Sequence, residues 1–241
     1  MIAGRSVLAV IPARGGSRGV PRKNLRMVAG KPLVAWTIEE GHKSKYIDRL
    51  ILSSEDPEII ETAKRWGCET PFIRPAHLAR DDTPGTAPVL HAVNEVPGYD
   101  YVVLLQPTSP LRLAEDIDRC LESCVHHGRP SGVTVTEVDK TPYWMFHLDG
   151  DMRLSPVLPN EVIPSRRQEI PPVYALNGAV YVAEIDWFRA TRSFVTHDTV
   201  ATVMPKERSL DIDTEFDVRI ADFLLRERTE AGRHHYVHTS S

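Results

Sequence analysis

The chain has 241 residues, 41% of them apolar and 26% charged, with 29 Lys and Arg against 33 Asp and Glu for a net charge of -4. That composition belongs to a globular protein with one sizeable core and excludes disordered, collagen-like and disulfide-scaffold chains. Seven basic residues (Arg5, Arg14, Arg18, Arg22, Lys23, Arg26 and Lys31) precede the first acid, Glu39, leaving 22 basic and 33 acidic residues downstream, a balance of -11. A basic entry to an acidic body predicts a site for a small anion and speaks against a nucleic-acid surface, which makes a whole domain basic.

In chain order, Val7 to Ile11 reads as a buried strand, followed by a Gly/Arg loop and a helix from Pro32 to Lys43. This early apolar run is too short for a membrane span and no signal-peptide pattern precedes it. Arg49 to Ser53 is a second strand, and Asp56-Pro57 starts a helix that runs to Trp66, with Asp as N-cap and Pro in the first turn. A short strand is expected at Thr70 to Ile73, then a polar loop at Ala79 to Thr86 and a helix to Glu95. Tyr101 to Leu105 has no polar alternation and so predicts a strand covered on both faces. A helix over Ala114 to His127 and a strand over Gly132 to Val138 complete the repeat. Strand, loop and helix in this rhythm predict a mainly parallel α/β sheet of Rossmann-like, three-layer type, with ligands at the carboxyl ends of its strands.

Residues 139–172 break the pattern. Six prolines, the aromatic run Tyr143-Trp144-Met145-Phe146 and a turn at Asp149-Gly150-Asp151 predict hairpins and extended chain, whose exposed aromatics need cover. This excursion is expected to form a homodimer contact, set apart from a core of 1–138 and 173–230. Strands at Ala179 to Ala183 and Val200 to Met204 and a helix over Glu215 to Arg228 follow, with a frayed tail at 231–241. Cys68, Cys120 and Cys124 form no CxxC pair, as expected of a reduced cytoplasmic chain, and Cys120 and Cys124 are expected to pack in the core.

The loop after the first strand, Ile11-Pro12-Ala13-Arg14-Gly15-Gly16-Ser17-Arg18-Gly19-Val20-Pro21-Arg22-Lys23-Asn24, places glycines and cations where a doubly wound sheet binds phosphate. It lacks the Gly-Lys-Ser/Thr of a Walker loop and is not GxGxxG, which disfavours kinases and dehydrogenases. It resembles the signature of the N-acylneuraminate cytidylyltransferase (CMP-sialic acid synthetase) family, with Arg18 in place of the family's lysine. Its ending departs from the Pro-Gly-Lys-Pro of the related ketodeoxyoctonate enzyme. Four further segments resemble the same family in order: Arg74-Pro75 with Asp82 to Thr86, Leu104 to Arg112, Arg166-Arg167-Gln168 with Leu176 to Tyr181, and Ser209 to Asp217.

The resemblance implies transfer of CMP from CTP to a nonulosonic (sialic-type) sugar acid with release of pyrophosphate, the anomeric hydroxyl attacking the α-phosphorus in line. It implies that Arg14, Gly15, Ser17, Lys23, Asn24, Arg74 and Thr86 contact the nucleotide, with Arg14 and Lys23 on its phosphates. Gln106, Arg167, Asn177 and Tyr181 would face the sugar. Asp211 and Asp213 alternate around Ile212, so in extended chain both carboxylates point to one side while Ile212 points to the core. Such hard oxygen ligands beside a triphosphate imply magnesium, with Asp211 counted among the catalytic residues beside Lys23 and Arg14. The same residues also read as a helix start with Asp213 as N-cap. An aromatic, Trp144, stands where many members carry a basic residue for the sugar carboxylate. This points to Arg167 from a dimer partner and to a less polar nonulosonate such as legionaminate. Alternatives are the same fold acting on ketodeoxyoctonate, ketodeoxynonulosonate or a sugar phosphate, and a non-catalytic nucleotide-binding module.

Overall fold

The computed structural model describes residues 1–158, 166, 168 and 170–237. The first strand, β1 (Val7–Pro12), leads through a loop and a 3-10 turn at Lys23–Leu25 into a small hairpin of β2 (Met27–Val28) and β3 (Lys31–Pro32), then α1 (Leu33–Lys43). The order continues β4 (Arg49–Ser53), α2 (Pro57–Arg65), α3 (Ala87–Glu95), β5 (Tyr101–Leu105), α4 (Ala114–His127) and β6 (Ser131–Glu137). A second hairpin, β7 (Phe146–Leu148) with β8 (Leu154–Pro156), lies in the excursion and turns at the expected Asp149 to Asp151. The chain ends with β9 (Tyr174–Glu184), α5 (Ile185–Thr191), β10 (Thr199–Val203) and α6 (Glu215–Val237).

Six strands form one sheet in the order β10-β6-β9-β5-β1-β4. All are parallel except β9, which runs antiparallel to both of its neighbours. The alternation of side chains along the strands splits the core. Val7, Ala9, Ile11, Val103 and Leu105 face α1, α2 and α4, whereas Leu8, Val10, Val102 and Leu104 face α3 and α5. A third cluster joins Val20 of the first loop, Trp36 of α1 and Ile212 to Val218, Ala221 and Leu225 of α6, which clamps the carboxyl-terminal segment over the loop after β1. Ile212 is fully buried.

Three expectations are corrected. No strand forms at Thr70 to Ile73: Glu69 makes a single bridge to Ile51, and Pro71, lacking an N–H, cannot extend the ladder. The last helix passes Arg228 and runs to Val237, because no helix breaker stands before its end apart from Gly232; residues 238–241 lie outside the described region. The N-cap of α6 is Thr214, not Asp213: the Asp217 carboxylate accepts from the Thr214 N–H at 2.8 Å while the Asp217 N–H donates to Thr214 Oγ1 at 3.3 Å. The expected Asp56 cap of α2 is present, accepting from the N–H groups of Glu58 and Ile59. Cys120 and Cys124 are buried, and burial pushes the Cys124 thiol up to about 12. Among the described residues, no helix is long and apolar enough to cross a membrane.

Candidate active site

The loop after β1 is held from below. Its Gly15 N–H donates to Glu55 Oε1 at 2.7 Å, and Glu55 Oε2 accepts from Arg74 Nη2 at 2.6 Å, so one carboxylate ties the loop to a buried guanidinium on the opposite wall. Asn24, itself buried, folds the loop back by donating Nδ2 to the Arg14 carbonyl at 2.9 Å. Arg22 pairs with Asp56 and Glu58 at the start of α2 and therefore points away from the cleft.

Above this floor lies a cleft of about 310 Å³, within the size range of small-molecule sites. Arg14, Ser17, Lys23, Asn24, Arg74 and Gln106 line it, six of the residues singled out by sequence. It opens at the carboxyl ends of β1 and β5, where a parallel sheet binds its ligand. Gly15 lies beneath, its N–H already taken by Glu55. Thr86 is not in the lining; it stands at the start of α3, where its carbonyl accepts from the Leu90 N–H. Sequence reasoning missed Arg80, Asp81 and Thr108, which also line the cleft. The signal for Arg80 and Asp81 was the charge in the polar loop they belong to.

The Lys23 ammonium reaches across to the carboxyl-terminal segment. It donates to the Ile212 carbonyl at 2.5 Å and sits 3.1 Å from Asp213 Oδ1. The Ile212 N–H donates to the Thr108 carbonyl at 2.9 Å, which fixes Asp211 beside the end of β5. At Gly178, φ is +73°, and a Cβ there would stand 3.1 Å from Gln106 Oε1 and 3.5 Å from Asp211 Oδ2. Gln106 and Asp211 thus converge over a backbone position whose positive φ favours glycine and where a Cβ would crowd the Gln106 amide. Solvent reaches Asp211, yet crowding by protein atoms raises its carboxyl pKa, aided by Asp213 and Asp217 and opposed by a hydrogen bond with Thr108 and the charge of Lys23. Burial, with the nearby Asp211 charge, likewise raises the Tyr181 hydroxyl.

Two buried side chains support this corner. The Arg112 guanidinium donates to the Ala179 carbonyl at 2.7 Å, to Thr37 Oγ1 at 2.7 Å and to the Gln106 carbonyl at 3.2 Å. Burial lowers its pKa to about 10, so it remains charged at neutral pH. Asn177, expected at the sugar, spends its amide inside the protein: Oδ1 accepts from Thr134 Oγ1 at 2.7 Å and from the Ala179 N–H at 3.2 Å, while Nδ2 donates to Ser209 Oγ at 3.0 Å. Arg167 lies outside the described residues.

The described residues contain no group of three or more His, Cys, Asp or Glu able to hold a metal. Asp211 and Asp213 offer two carboxylates beside a cleft lined with cations, a donor set that fits magnesium, which takes one or two carboxylates and completes its shell with water and substrate phosphates.

The sequence profile described as cytidylyltransferase matches residues 8–145. The chain is 32% identical over 240 residues to the CMP-N,N'-diacetyllegionaminic acid synthase of Legionella pneumophila, covering 93% of this chain and 98% of that protein. It is 32% identical over 232 residues to the pseudaminic acid cytidylyltransferase of Campylobacter jejuni, with the same coverage of 93% and 98%. Against the N-acylneuraminate cytidylyltransferase of Escherichia coli the identity is 30% over 227 residues, covering 89% of this chain and 51% of that longer protein. In fold, the chain is similar to the solved CMP:2-keto-3-deoxy-manno-octonic acid synthetase complexed with CTP, at TM-score 0.72 and 16% identity, covering 92% of this chain and 99% of that one. It is also similar to the 4-diphosphocytidyl-2C-methyl-D-erythritol synthase of Anaerococcus prevotii, at TM-score 0.64 and 16% identity, covering 93% and 98%.

Proposed function

The chain belongs to the cytidylyltransferase family, and from that premise we propose that it transfers CMP from CTP to the anomeric hydroxyl of a nonulosonic acid, releasing pyrophosphate. The observation that carries this reading is the Lys23 contact with the Ile212 carbonyl and Asp213, which joins the cationic loop after β1 to the paired aspartates before α6. Full-length relatives named for legionaminic and pseudaminic acids support the substrate class.

In this reading Arg14 and Lys23 neutralise the triphosphate and hold the charge that develops on the departing pyrophosphate. Reaction by in-line displacement needs positioning above all, and the braces from Glu55, Asn24 and Arg112 hold the reacting walls in place before substrate arrives. Gln106, whose carbonyl is fixed by Arg112, directs its amide toward the sugar. Asp211 and Asp213 would hold magnesium, which supplies charge neutralisation at the phosphates when bound. Two copies associate through the excursion, where Met145, Leu148 and Leu154 are exposed, and the enzyme acts in the cytoplasm, in keeping with three free buried thiols.

A pyrophosphate-release panel tests the proposal. Release should require CTP, magnesium and a nonulosonic acid together, and Lys23→Ala should cut turnover at least about 100-fold, roughly 2.7 kcal/mol of transition-state stabilisation. Equal or faster release with ketodeoxyoctonate would move the substrate to the alternative class, and turnover of Lys23→Ala within about threefold of the parent would remove Lys23 from the mechanism.

A further inference from the structure

Two cations of the loop after β1, Arg14 in the cleft lining and the exposed Arg18, share one carboxylate. Arg14 Nη1 lies 2.6 Å from Asp81 Oδ1, and Arg18 Nε lies 2.6 Å from Asp81 Oδ2. One carboxylate therefore bridges two guanidinium groups of the loop after β1, an arrangement a phosphate group would reproduce with more charge. Without an anion between them, two like charges this close would separate. The contact lowers the Asp81 pKa, first through Arg14 and then through Arg18, so the carboxylate is ionised at neutral pH.

The polyphosphate of CTP and the Asp81 carboxylate compete for these partners, because the carboxylate occupies guanidinium N–H donors that a phosphate would take and sets a like charge beside it. The loop that carries Asp81 is held by local contacts, Thr83 Oγ1 to the His77 carbonyl at 3.0 Å and the Thr83 N–H to the Arg80 carbonyl at 3.3 Å, and it continues into Pro84 and Gly85, with open space around Gly85. The preceding residue, Arg80, lines the same cleft and has no acidic partner among the described residues.

Resting on the reading of this cleft as a CTP site, we propose that Asp81 is a tethered competitor for the polyphosphate: it holds Arg14 and Arg18 in place before CTP binds and returns to them to expel pyrophosphate after transfer. Tethering matters because an anion attached to the cleft wall acts at high effective concentration, which a free counter-ion does not. Ion pairs between solvent-exposed groups are individually weak, so the competitor is displaced by a triphosphate, while two of them on one tethered carboxylate hasten release of a product.

The test is calorimetric titration of inorganic pyrophosphate, with magnesium present, into the intact parent, Asp81→Asn and Asp186→Asn. Asp186, 98% exposed at the opposite end of the sheet, controls for the change in net charge. Asp81→Asn should bind pyrophosphate about three- to tenfold more tightly than the parent, with product inhibition strengthened in parallel, and Asp186→Asn should match the parent. A gain in affinity cannot come from misfolding. Unchanged or weaker binding by Asp81→Asn, with the parent binding normally, overturns the competitor role and makes Asp81 a simple positioner of the arginines. A parent that binds neither pyrophosphate nor CTP overturns the functional reading itself, and this inference with it.

Discussion

The carbonyl oxygen of Asp213 lies 2.1 Å from where a Cβ on Gly19 would be, so the loop after β1 and the segment before α6 touch backbone to backbone. Any side chain at position 19 must push the two apart. Gly19→Ala should therefore separate Lys23 from Ile212 and Asp213 and lower kcat/KM for CTP by at least about tenfold, about 1.4 kcal/mol. Steady-state kinetics with a thermal melt on the same sample checks this. Unaltered kinetics in a well-folded variant would mean that this contact plays no part in turnover.

Arg112 serves three acceptors from three elements, the Thr37 hydroxyl of α1, the Ala179 carbonyl of β9 and the Gln106 carbonyl after β5. Arg112→Met keeps much of the volume but takes a donor from all three, leaving the Thr37 hydroxyl and the Gln106 carbonyl only the longer contact of 3.5 Å between them and the Ser109 N–H at 3.4 Å. The expected loss is about 3 kcal/mol of unfolding free energy, read as a lowered urea midpoint with the slope unchanged. Arg112→Lys should recover only part of it, because an ammonium cannot match the planar fork.

Leu148 and Leu154 face each other across the β7–β8 register and are 55% and 66% exposed. If this surface carries the dimer, replacing both with Asp buries two charges at the contact and should yield a monomer by sedimentation at micromolar concentration. A variant that still sediments as a dimer would locate the interface elsewhere.

The folded chain also carries an acid-sensitive clasp at the far end of the sheet. Asp100 accepts from the Ser6 N–H at 2.7 Å and from Ser6 Oγ at 2.8 Å, and these bonds hold its carboxyl below the ordinary 3.8. A depressed folded pKa contributes stability above the unfolded value and loses it as the pH falls through the folded one. The melting temperature of the parent should thus exceed that of Asp100→Asn at neutral pH, with the gap closing below about pH 4. A gap that is constant down to pH 3 would show that the Ser6 bonds do not discriminate between the two protonation states.

Much of this organisation was legible in the chain. The unbroken apolar runs of β1 and β5 call for cover on both faces and have it, and Asp56-Pro57 caps α2 as its residue types require. The loop after β1 stands out through glycines and cations in one stretch, and Arg14, Ser17, Lys23 and Asn24 of it line the cleft. What escaped reading depends on long-range geometry. The reversed direction of β9 has no local signature, since a strand's alternation is the same either way along the chain. Arg112 stood in the sequence only as the last residue of the Leu104 to Arg112 segment, and only the meeting of α1, β9 and the Gln106 loop explains its burial. Asn177 was assigned to the sugar by the family resemblance of its segment, whereas Thr134 and Ser209, distant in sequence, consume its amide. Asp81 carries an ordinary surface charge until folding sets Arg14 and Arg18 against it.

The reversed strand has a consequence for how such a protein can diversify. Because β9 runs against β6, the two ends of the excursion leave the sheet side by side: Glu137 pairs with Tyr174, and the Val138 N–H donates to the Val173 carbonyl at 3.0 Å. The excursion hangs from a two-stranded stalk beside the cleft. Its length and exposed face can be exchanged without repacking the layers beneath.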